Sequence, residues 1–365
     1  VSMALPLRPE LVGAVPYGAP QLDVPVRLNT TETPYPPPAE VAHDAAAAVA
    51  DAVADLNRYT DREATALRAA LAAYLSADSG EALRPEQVWA ANGSNEVMVQ
   101  ILQAFGGPGR RAMAFTPTYS MYPEYARDTF TGWVTGRRGG DFALSATDAA
   151  AQVRELNPDV VFLASPNNPT GTVLPPEVVA AVYDATDGIV VVDEAYGEFR
   201  RSGTPSAVDL LDGRPRLVVT RTMSKAFAFA GARLCYAAAD PALVDALRVV
   251  RLPYHLSAVT QAVARVALAH ADALQRDVAR LRTSRDDLVA WLRAHGFEVP
   301  DSDANFVLVG SFPDRRAVWQ GLLEHGVLVR EVGPPQWLRV TVGTEDEMDR
   351  FRDALLAVTR GEAGI

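Results

Sequence analysis

The sequence predicts an α/β protein with a mostly parallel central sheet flanked by helices, a smaller C-terminal α/β unit and an N-terminal arm. Three observations carry that expectation. Short apolar runs alternate with helix-length segments, the pattern of parallel strands joined by crossover helices. The polar residues best suited to chemistry fall at the ends of those runs, where open α/β sheets bind ligands. After about Leu256 the texture changes to a long segment rich in Ala, Leu and Arg, and then to short strands.

The elements follow in order. Residues 1–38 are Pro-rich and without periodicity, and Tyr35-Pro36-Pro37-Pro38 reads as extended chain. This arm is expected to pack on the smaller unit or on a partner subunit. Helices are expected over 40–56 and 63–75, the second with Leu67, Leu71 and Leu75 on one face. Val88–Ala91 reads as a strand, and 96–105 as a helix after the turn Asn92-Gly93-Ser94-Asn95. A strand over 111–115, a loop with a helix over 117–126 and a strand near Trp133 come next. A helix over 148–156 precedes the buried strand 160–164, and a helix over 176–185 precedes the strand 189–193. Leu217-Val218-Val219 reads as a further strand. A single long helical region is expected from Val259 to about Ala294, stopped by His295-Gly296. Strands near 306–309, 327–329 and 338–342 and helices over 315–324 and 345–358 complete the chain. The expected division is an arm over 1–38, a large domain over 39–257 and a small domain over 258–365.

Composition bounds the function. A chain of 365 residues with 48% hydrophobic and 22% charged residues is ordinary for a soluble globular protein. The net charge of −11 argues against a nucleic-acid partner and against an anionic membrane surface. The single cysteine, Cys235, forms no intrachain disulfide and no cysteine metal cluster, which fits a cytoplasmic protein. The stretch with Pro6, Arg8, Pro9 and Glu10 lacks an apolar run, so no signal peptide is expected from it, and the Ala45–Ala54 run is too short and too charged to span a bilayer. The five histidines are scattered without metal-ligand spacing, so no metal is expected.

The stretch from Thr220 to Arg233 is the most informative. Lys225 sits between Ser224 and the small apolar run Ala226–Ala230. Desolvation disfavours an ammonium ion, so such a lysine tends towards the neutral, nucleophilic amine. The ordinary alternative is a lysine that extends from a helix edge into water. Asp193 ends the apolar strand 189–192, and a carboxylate buried there needs a positive partner, such as a protonated pyridine nitrogen. Tyr196 follows three residues on. The turn at Gly93, Ser94 and Asn95 opens a helix and suits a phosphate. Asn168, in Ser165-Pro166-Asn167-Asn168-Pro169-Thr170-Gly171, stands at a strand end where its amide reaches a phenolate-type oxygen. Thr222, Ser224 and Arg233 offer two hydroxyls and a cation for a phosphate. Tyr119 is placed to stack on a flat ring. Each of these alone has an ordinary reading as a turn, a cap or a core residue.

Taken in this order and spacing, the motifs resemble the fold-type-I pyridoxal-phosphate-dependent aminotransferases over essentially the whole chain. Within them, Asn57-Arg58-Tyr59, Ala90–Glu96, Thr116–Tyr122, Asp193–Phe199, Thr220–Arg233 and Arg251–Ser257 resemble the histidinol-phosphate aminotransferases of the actinobacterial type. The resemblance implies pyridoxal 5′-phosphate as cofactor, Lys225 as its Schiff-base lysine and proton shuttle, and Asp193 at the pyridine nitrogen. It implies Asn168 and Tyr196 at the ring oxygen and Tyr119 on the ring. Gly93, Ser94, Asn95, Thr222, Ser224 and Arg233 would hold the phosphate, and Tyr59 would reach the cofactor phosphate of the other subunit of a homodimer. Arg339, Arg330, Asn168 and Thr33 would contact the substrate. The implied reaction is a ping-pong transamination between histidinol phosphate and 2-oxoglutarate in histidine biosynthesis. The alternatives on this scaffold are an aromatic-amino-acid aminotransferase and a decarboxylase of phosphorylated amino acids.

The chain departs from the family pattern in the arm. Asn29-Thr30-Thr31-Glu32-Thr33-Pro34 carries threonines where relatives often have asparagines. Thr60 replaces a common proline, and Ala232 and Cys235 replace common glycines.

Overall fold

The computed structural model describes residues 5–361. The first four residues of the expected arm and the last four of the expected small domain lie outside the described residues. In chain order the elements are β1 (Val26–Arg27), α1 (Ala39–Ala54), α2 (Thr65–Ser79), β2 (Val88–Ala91), α3 (Gly93–Phe105), β3 (Arg111–Thr116), α4 (Tyr122–Asp128), β4 (Gly132–Arg137), α5 (Ala146–Leu156), β5 (Val160–Ala164) and α6 (Pro176–Asp184). Then follow β6 (Ile189–Asp193), β7 (Leu217–Thr222), β8 (Cys235–Ala239), α7 (Pro241–Val250), α8 (Ala258–Ala269), α9 (Ala271–Ala294), β9 (Phe306–Val309), α10 (Arg315–Glu324), β10 (Val327–Leu328), β11 (Leu338–Thr341) and α11 (Glu345–Gly361).

The central sheet has seven strands in the order β2-β8-β7-β6-β5-β3-β4. Pairing is parallel from β7 to β4, and β8 alone runs against its neighbours. The sheet is buried on both faces, so its strands read as continuous apolar runs and not as alternating ones. Val161, Leu163, Val190, Val192 and Val219 point into one core; Val160, Phe162, Val191 and Val218 point into the other. Helices α3, α4 and α7 cover the second core, and α2, α5 and α6 cover the first.

Local chemistry sets the helix ends. Ser145 caps α5 by accepting the Asp148 N–H, and Ser257 caps α8 by accepting the Thr260 N–H. α5 closes on Asn157 in the left-handed region, where an asparagine is tolerated. Beyond α9, strands β9 and β11 pair antiparallel, and β10 pairs in parallel with β1 of the arm. No helix among the described residues is long and apolar enough to cross a membrane.

The structure differs from the sequence expectation in several elements. The expected single helix over 259–294 is two helices, because the chain turns at His270 between α8 and α9. β8 and α7 were not anticipated. Alanines in Cys235-Tyr236-Ala237-Ala238-Ala239 carry little strand propensity, and burial between β2 and β7 decides the conformation. α7 does carry a start signal, Asp240 accepting the Ala242 N–H ahead of Pro241.

A buried ion cluster ties β6 to β7 behind the sheet's carboxyl edge. The fully buried Arg221 pairs with Glu194 at 3.0 Å, Asp78 at 2.6 Å and Glu198 at 3.6 Å. Removing one partner of a buried cluster leaves an uncompensated charge. Arg221→Met is therefore expected to lower unfolding stability by about 3–5 kcal/mol, measured by urea denaturation followed by circular dichroism. A loss below about 1 kcal/mol would mean that the cluster is not needed to hold these strand ends.

Candidate active site

A cavity of about 410 Å³ opens at the carboxyl ends of β3, β5, β6 and β7, between the large sheet, β11 and the arm. Its lining brings together Ser94, Asn95, Tyr119, Asn168, Asp193, Tyr196, Thr222, Ser224, Lys225, Arg233, Arg330 and Arg339 from widely separated sequence positions. Parallel strands explain the convergence, since every carboxyl end from β3 to β7 faces the same side.

Asp193 ends β6 and is buried. Its Oδ2 accepts the Tyr122 hydroxyl at 2.8 Å, and its Oδ1 accepts the Thr220 hydroxyl and the Ala195 N–H, each at 3.2 Å. Burial pushes this carboxyl above the usual range, and the Tyr122, Thr220 and Ala195 donors pull it back in part. All three donors are neutral, so the carboxylate has hydrogen bonds but no cation.

Lys225 follows β7 in the loop that starts at Met223. Its Nζ donates to the Thr30 carbonyl at 3.1 Å. Burial, then the Arg339 guanidinium, then Arg233, lower its pKa to about 8, against the opposing pull of Glu32. Lys225 is also the only lysine in the sequence; every other side-chain cation of Lys or Arg type is an arginine. An arginine keeps its proton at any physiological pH, so Lys225 is the one side-chain amine able to act as a nucleophile.

The first turn of α3 forms one end of the cavity. Gly93 has φ +78°, in the left-handed region that favours glycine, and a Cβ there would press on the Arg233 guanidinium. The turn is fixed by Glu96, which accepts the Asn92 N–H at 2.5 Å, and by Asn92 Nδ2, which donates to the His255 carbonyl at 2.6 Å. Asn95 Oδ1 accepts the Tyr125 hydroxyl at 2.7 Å. Opposite the turn, Ser224 N donates to Thr222 Oγ1 at 3.1 Å, and Arg233 Nη1 donates to the Ala230 carbonyl at 3.1 Å. A helix N-terminus, two hydroxyls and a guanidinium thus face one volume, the donor set of a phosphate site.

The other end is built by β11 and the arm. Arg339 Nη1 donates to Asn168 Oδ1 at 2.8 Å, Nη2 donates to the Asn29 carbonyl at 2.7 Å, and Nε is buried without a partner. Burial lowers its pKa, opposed by the Tyr196 hydroxyl. Asn168 Nδ2 donates to the Tyr196 hydroxyl oxygen at 3.2 Å. Arg330, bridged to Arg339 through the backbone, extends both terminal nitrogens to the Gly18 carbonyl at 3.3 Å. Tyr17 and Ser120 close the rim with a 2.9 Å hydrogen bond.

Two residues singled out in the sequence lie elsewhere. Tyr59 is 82% exposed and stacks on Tyr254 with ring centroids 4.4 Å apart, outside the cavity of its own chain. Thr33 lines a separate hollow with Pro34, Tyr35 and Gly231. The neighbouring Thr31 lines the main cavity instead. The sequence assigns no role to Tyr122, although it stands three residues beyond Tyr119 at the start of α4. The carbonyls of Asn29 and Thr30 leave no mark in a sequence, because every residue has one. Among the described residues, no group of three or more His, Cys, Asp or Glu side chains is disposed to hold a metal ion.

A desolvated amine, a buried carboxylate and two clusters of cationic and hydroxyl donors meet at the carboxyl edge of a parallel sheet, the setting of a group-transfer site. The sequence profile described as aminotransferase class I and II matches residues 24–355. Histidinol-phosphate aminotransferase of Thermobifida fusca strain YX is 63% identical over 97% of this chain and 96% of its own. The histidinol-phosphate aminotransferase of Frankia casuarinae is 59% identical, over 96% of this chain and 89% of its own. Among solved structures, histidinol-phosphate aminotransferase from Sinorhizobium meliloti, in complex with pyridoxal 5′-phosphate, matches with a TM-score of 0.87 and 25% identity, over 99% of this chain and 100% of that one. The chain belongs to the class I and II aminotransferases, which depend on pyridoxal phosphate.

In the cofactor-free protein, an amine-selective reagent is expected to label Lys225 with a pH midpoint near 8. Below the midpoint the rate falls about tenfold per pH unit, because only the neutral amine reacts. Peptide mass mapping separates this signal from the α-amino terminus, and a midpoint near that of an exposed lysine, about 10.4, would contradict the desolvated setting.

Proposed function

We propose that this enzyme moves an amino group between histidinol phosphate and 2-oxoglutarate, yielding imidazole-acetol phosphate and glutamate in the forward sense of histidine biosynthesis. The observation that carries the reading is the pair of anion sites on either side of Lys225. One serves a cofactor phosphate, and the other accepts in turn a substrate phosphate and a dicarboxylate.

Pyridoxal phosphate fits the residues present. Asp193 is a buried carboxylate that lacks a cation, and a protonated pyridine nitrogen supplies one. Gly93 brings the backbone of the first turn of α3 close to the Arg233 guanidinium, a cradle of backbone N–H groups and a cation that suits a phosphate. Thr222, Ser224, Arg233 and the first turn of α3, including Ser94 and Asn95, would hold that phosphate. Asn168 and Tyr196 would meet the ring oxygen, and Tyr119 would cover the ring. When bound, the cofactor supplies an aldehyde that condenses with amines and a ring that withdraws electrons from the adjacent carbon.

The chain's own residues do the rest. Lys225 Nζ, neutral in a substantial fraction near its pKa, takes a proton from the substrate carbon and returns it at a neighbouring position as general base and then general acid. Asp193 would keep the ring nitrogen protonated through charge pairing in a desolvated setting. Arg339 and Arg330 fix the substrate anion, so that the reacting carbon is presented to Lys225. Asn168 touches both Arg339 and Tyr196 and ties the substrate end to the cofactor end. The arm segment at Tyr17 and Gly18 covers the mouth and limits water.

The working unit in this reading is a cytoplasmic homodimer. Val53, Leu56, Tyr59, Val249, Leu252 and Tyr254 are exposed apolar side chains, and the stacked Tyr59–Tyr254 pair stands among them. Tyr59 would then reach the partner's cofactor phosphate.

Steady-state assays are expected to give kcat/KM at least tenfold higher for histidinol phosphate than for phenylalanine, with no decarboxylation of threonine phosphate. No turnover of histidinol phosphate would remove the substrate assignment while leaving the aminotransferase class intact. Light scattering should report twice the 39.2 kDa chain mass, and a monomer at micromolar concentration would contradict the shared site.

A further inference from the structure

Residues 29–31 of the arm touch three cavity side chains in succession. Asn29 O accepts from Arg339 Nη2 at 2.7 Å, Thr30 O accepts from Lys225 Nζ at 3.1 Å, and Thr31 Oγ1 lies 3.2 Å from the Tyr196 hydroxyl. The segment is itself held on three sides. Thr341 N donates to Leu28 O at 2.9 Å, Thr31 N donates to Thr341 Oγ1 at 3.0 Å, and Asn305 Nδ2 donates to Thr31 O at 3.0 Å.

Thr31 is unusual in conformation as well as in place. It is buried and has φ +57°, in the left-handed region that a β-branched residue rarely enters. The hydrogen bonds on either side of it impose that geometry and aim its hydroxyl at Tyr196.

The direction of the Thr31–Tyr196 hydrogen bond follows from counting protons. Thr31 Oγ1 also donates to the Thr30 carbonyl at 2.6 Å, and a carbonyl only accepts. The single hydroxyl proton of Thr31 is used there. Towards Tyr196, Thr31 is therefore the acceptor, and the Tyr196 hydroxyl donates. Asn168 Nδ2 donates to the same phenol oxygen at 3.2 Å, so that oxygen is already an acceptor and its only proton points at Thr31.

We propose that Thr31 is a positioning residue that competes for the Tyr196 proton and so sets how strongly that phenol donates to the cofactor ring oxygen. The inference rests on the assignment of Tyr196 to the ring oxygen made above. A hydrogen bond donated to a phenolate-type oxygen stabilises its negative charge and weakens its hold on a neighbouring proton. Thr31 moderates that effect, because a shared proton is donated less fully. The charged and titratable groups that face Tyr196 are Arg339 from β11, Asp193 from β6, Lys225 from the loop after β7 and Tyr119 from the loop after β3. A side-chain change at Thr31 deletes none of them, and the Thr30 carbonyl on Lys225 belongs to the backbone.

The test is a pH titration of the visible absorbance of the pyridoxal-phosphate-loaded protein. Thr31→Val keeps the branch and deletes the acceptor, and its midpoint is expected to fall by about 0.5–1 pH unit, the size of one hydrogen bond. Thr31→Ser keeps the hydroxyl and should titrate as the parent does. Tyr196→Phe should move the midpoint upwards, and Thr31→Val added to it should shift nothing further. An unchanged or raised midpoint in Thr31→Val, or a fall that persists in the Tyr196→Phe background, overturns the proposal. Failure of Tyr196→Phe alone to move the midpoint overturns the ring-oxygen assignment instead. Should the valine variant not fold, Thr31→Ala deletes the same acceptor and is read by the same outcomes.

Discussion

Burial of one carboxylate, Asp193, constrains most of what surrounds it. A carboxylate taken out of water at a strand end has to be hydrogen-bonded and, to stay ionised, paired with a cation. The protein supplies the hydrogen bonds from three elements: Tyr122 on α4, Thr220 on β7 and the Ala195 N–H just beyond β6. It places its arginines elsewhere. Arg221, one residue from Thr220, points to the far side and satisfies Glu194, Asp78 and Glu198. Adjacent residues on β6 and β7 thus divide the charge between two faces of the sheet. Glu194 and Arg221 neutralise each other behind the site, and Asp193 is left for a cation that the chain itself does not provide.

The choice of cations follows the same logic. Guanidinium groups remain charged under desolvation and offer several donors in a fixed plane, which suits phosphates and carboxylates. The amine of Lys225 loses its proton far more readily. Its pKa near 8 reflects burial first and the two flanking arginines second. Those arginines also favour the neutral form of the lysine.

Much of this was legible in the sequence because chemistry and topology coincide at strand ends. Asp193, Asn168, Thr222 and Lys225 each follow an uninterrupted apolar run, and a parallel sheet delivers the ends of such runs to one edge. What was not legible has physical causes. β8 is an alanine-rich segment whose strand conformation comes from its neighbours on both sides. The turn at His270 lies between two helices of similar composition, where periodicity hardly changes. Tyr122 acts through a hydroxyl that reaches Asp193 across the cavity wall, and its sequence setting is that of any core tyrosine. Residues 31 and 33 of a regular extended arm would share one face; the left-handed turn at Thr31 breaks that regularity, and Thr31 lines the main cavity while Thr33 lines a separate hollow.

The arm deserves its weight in the design for a further reason. Asp193 and Lys225 belong to the large sheet, while Arg339 belongs to the antiparallel pair β9–β11. Their relative positions would depend on how the two sheets pack, were it not for two consecutive peptide groups. The carbonyl of Asn29 holds Arg339, and the carbonyl of Thr30 holds Lys225. Both hydrogen bonds are made by neighbouring peptide groups, whose Cα atoms lie about 3.8 Å apart, so the guanidinium and the amine are held against one short stretch of backbone. The arm is in turn registered by β1 on β10 and by the Leu28–Thr341 hydrogen bond. A segment without a strong secondary-structure signal in the sequence thereby acts as the ruler of the site, and it works through backbone atoms that any residue would carry. Side-chain identity matters along this ruler where a side chain reaches inwards, and at Thr31 that contact is with Tyr196.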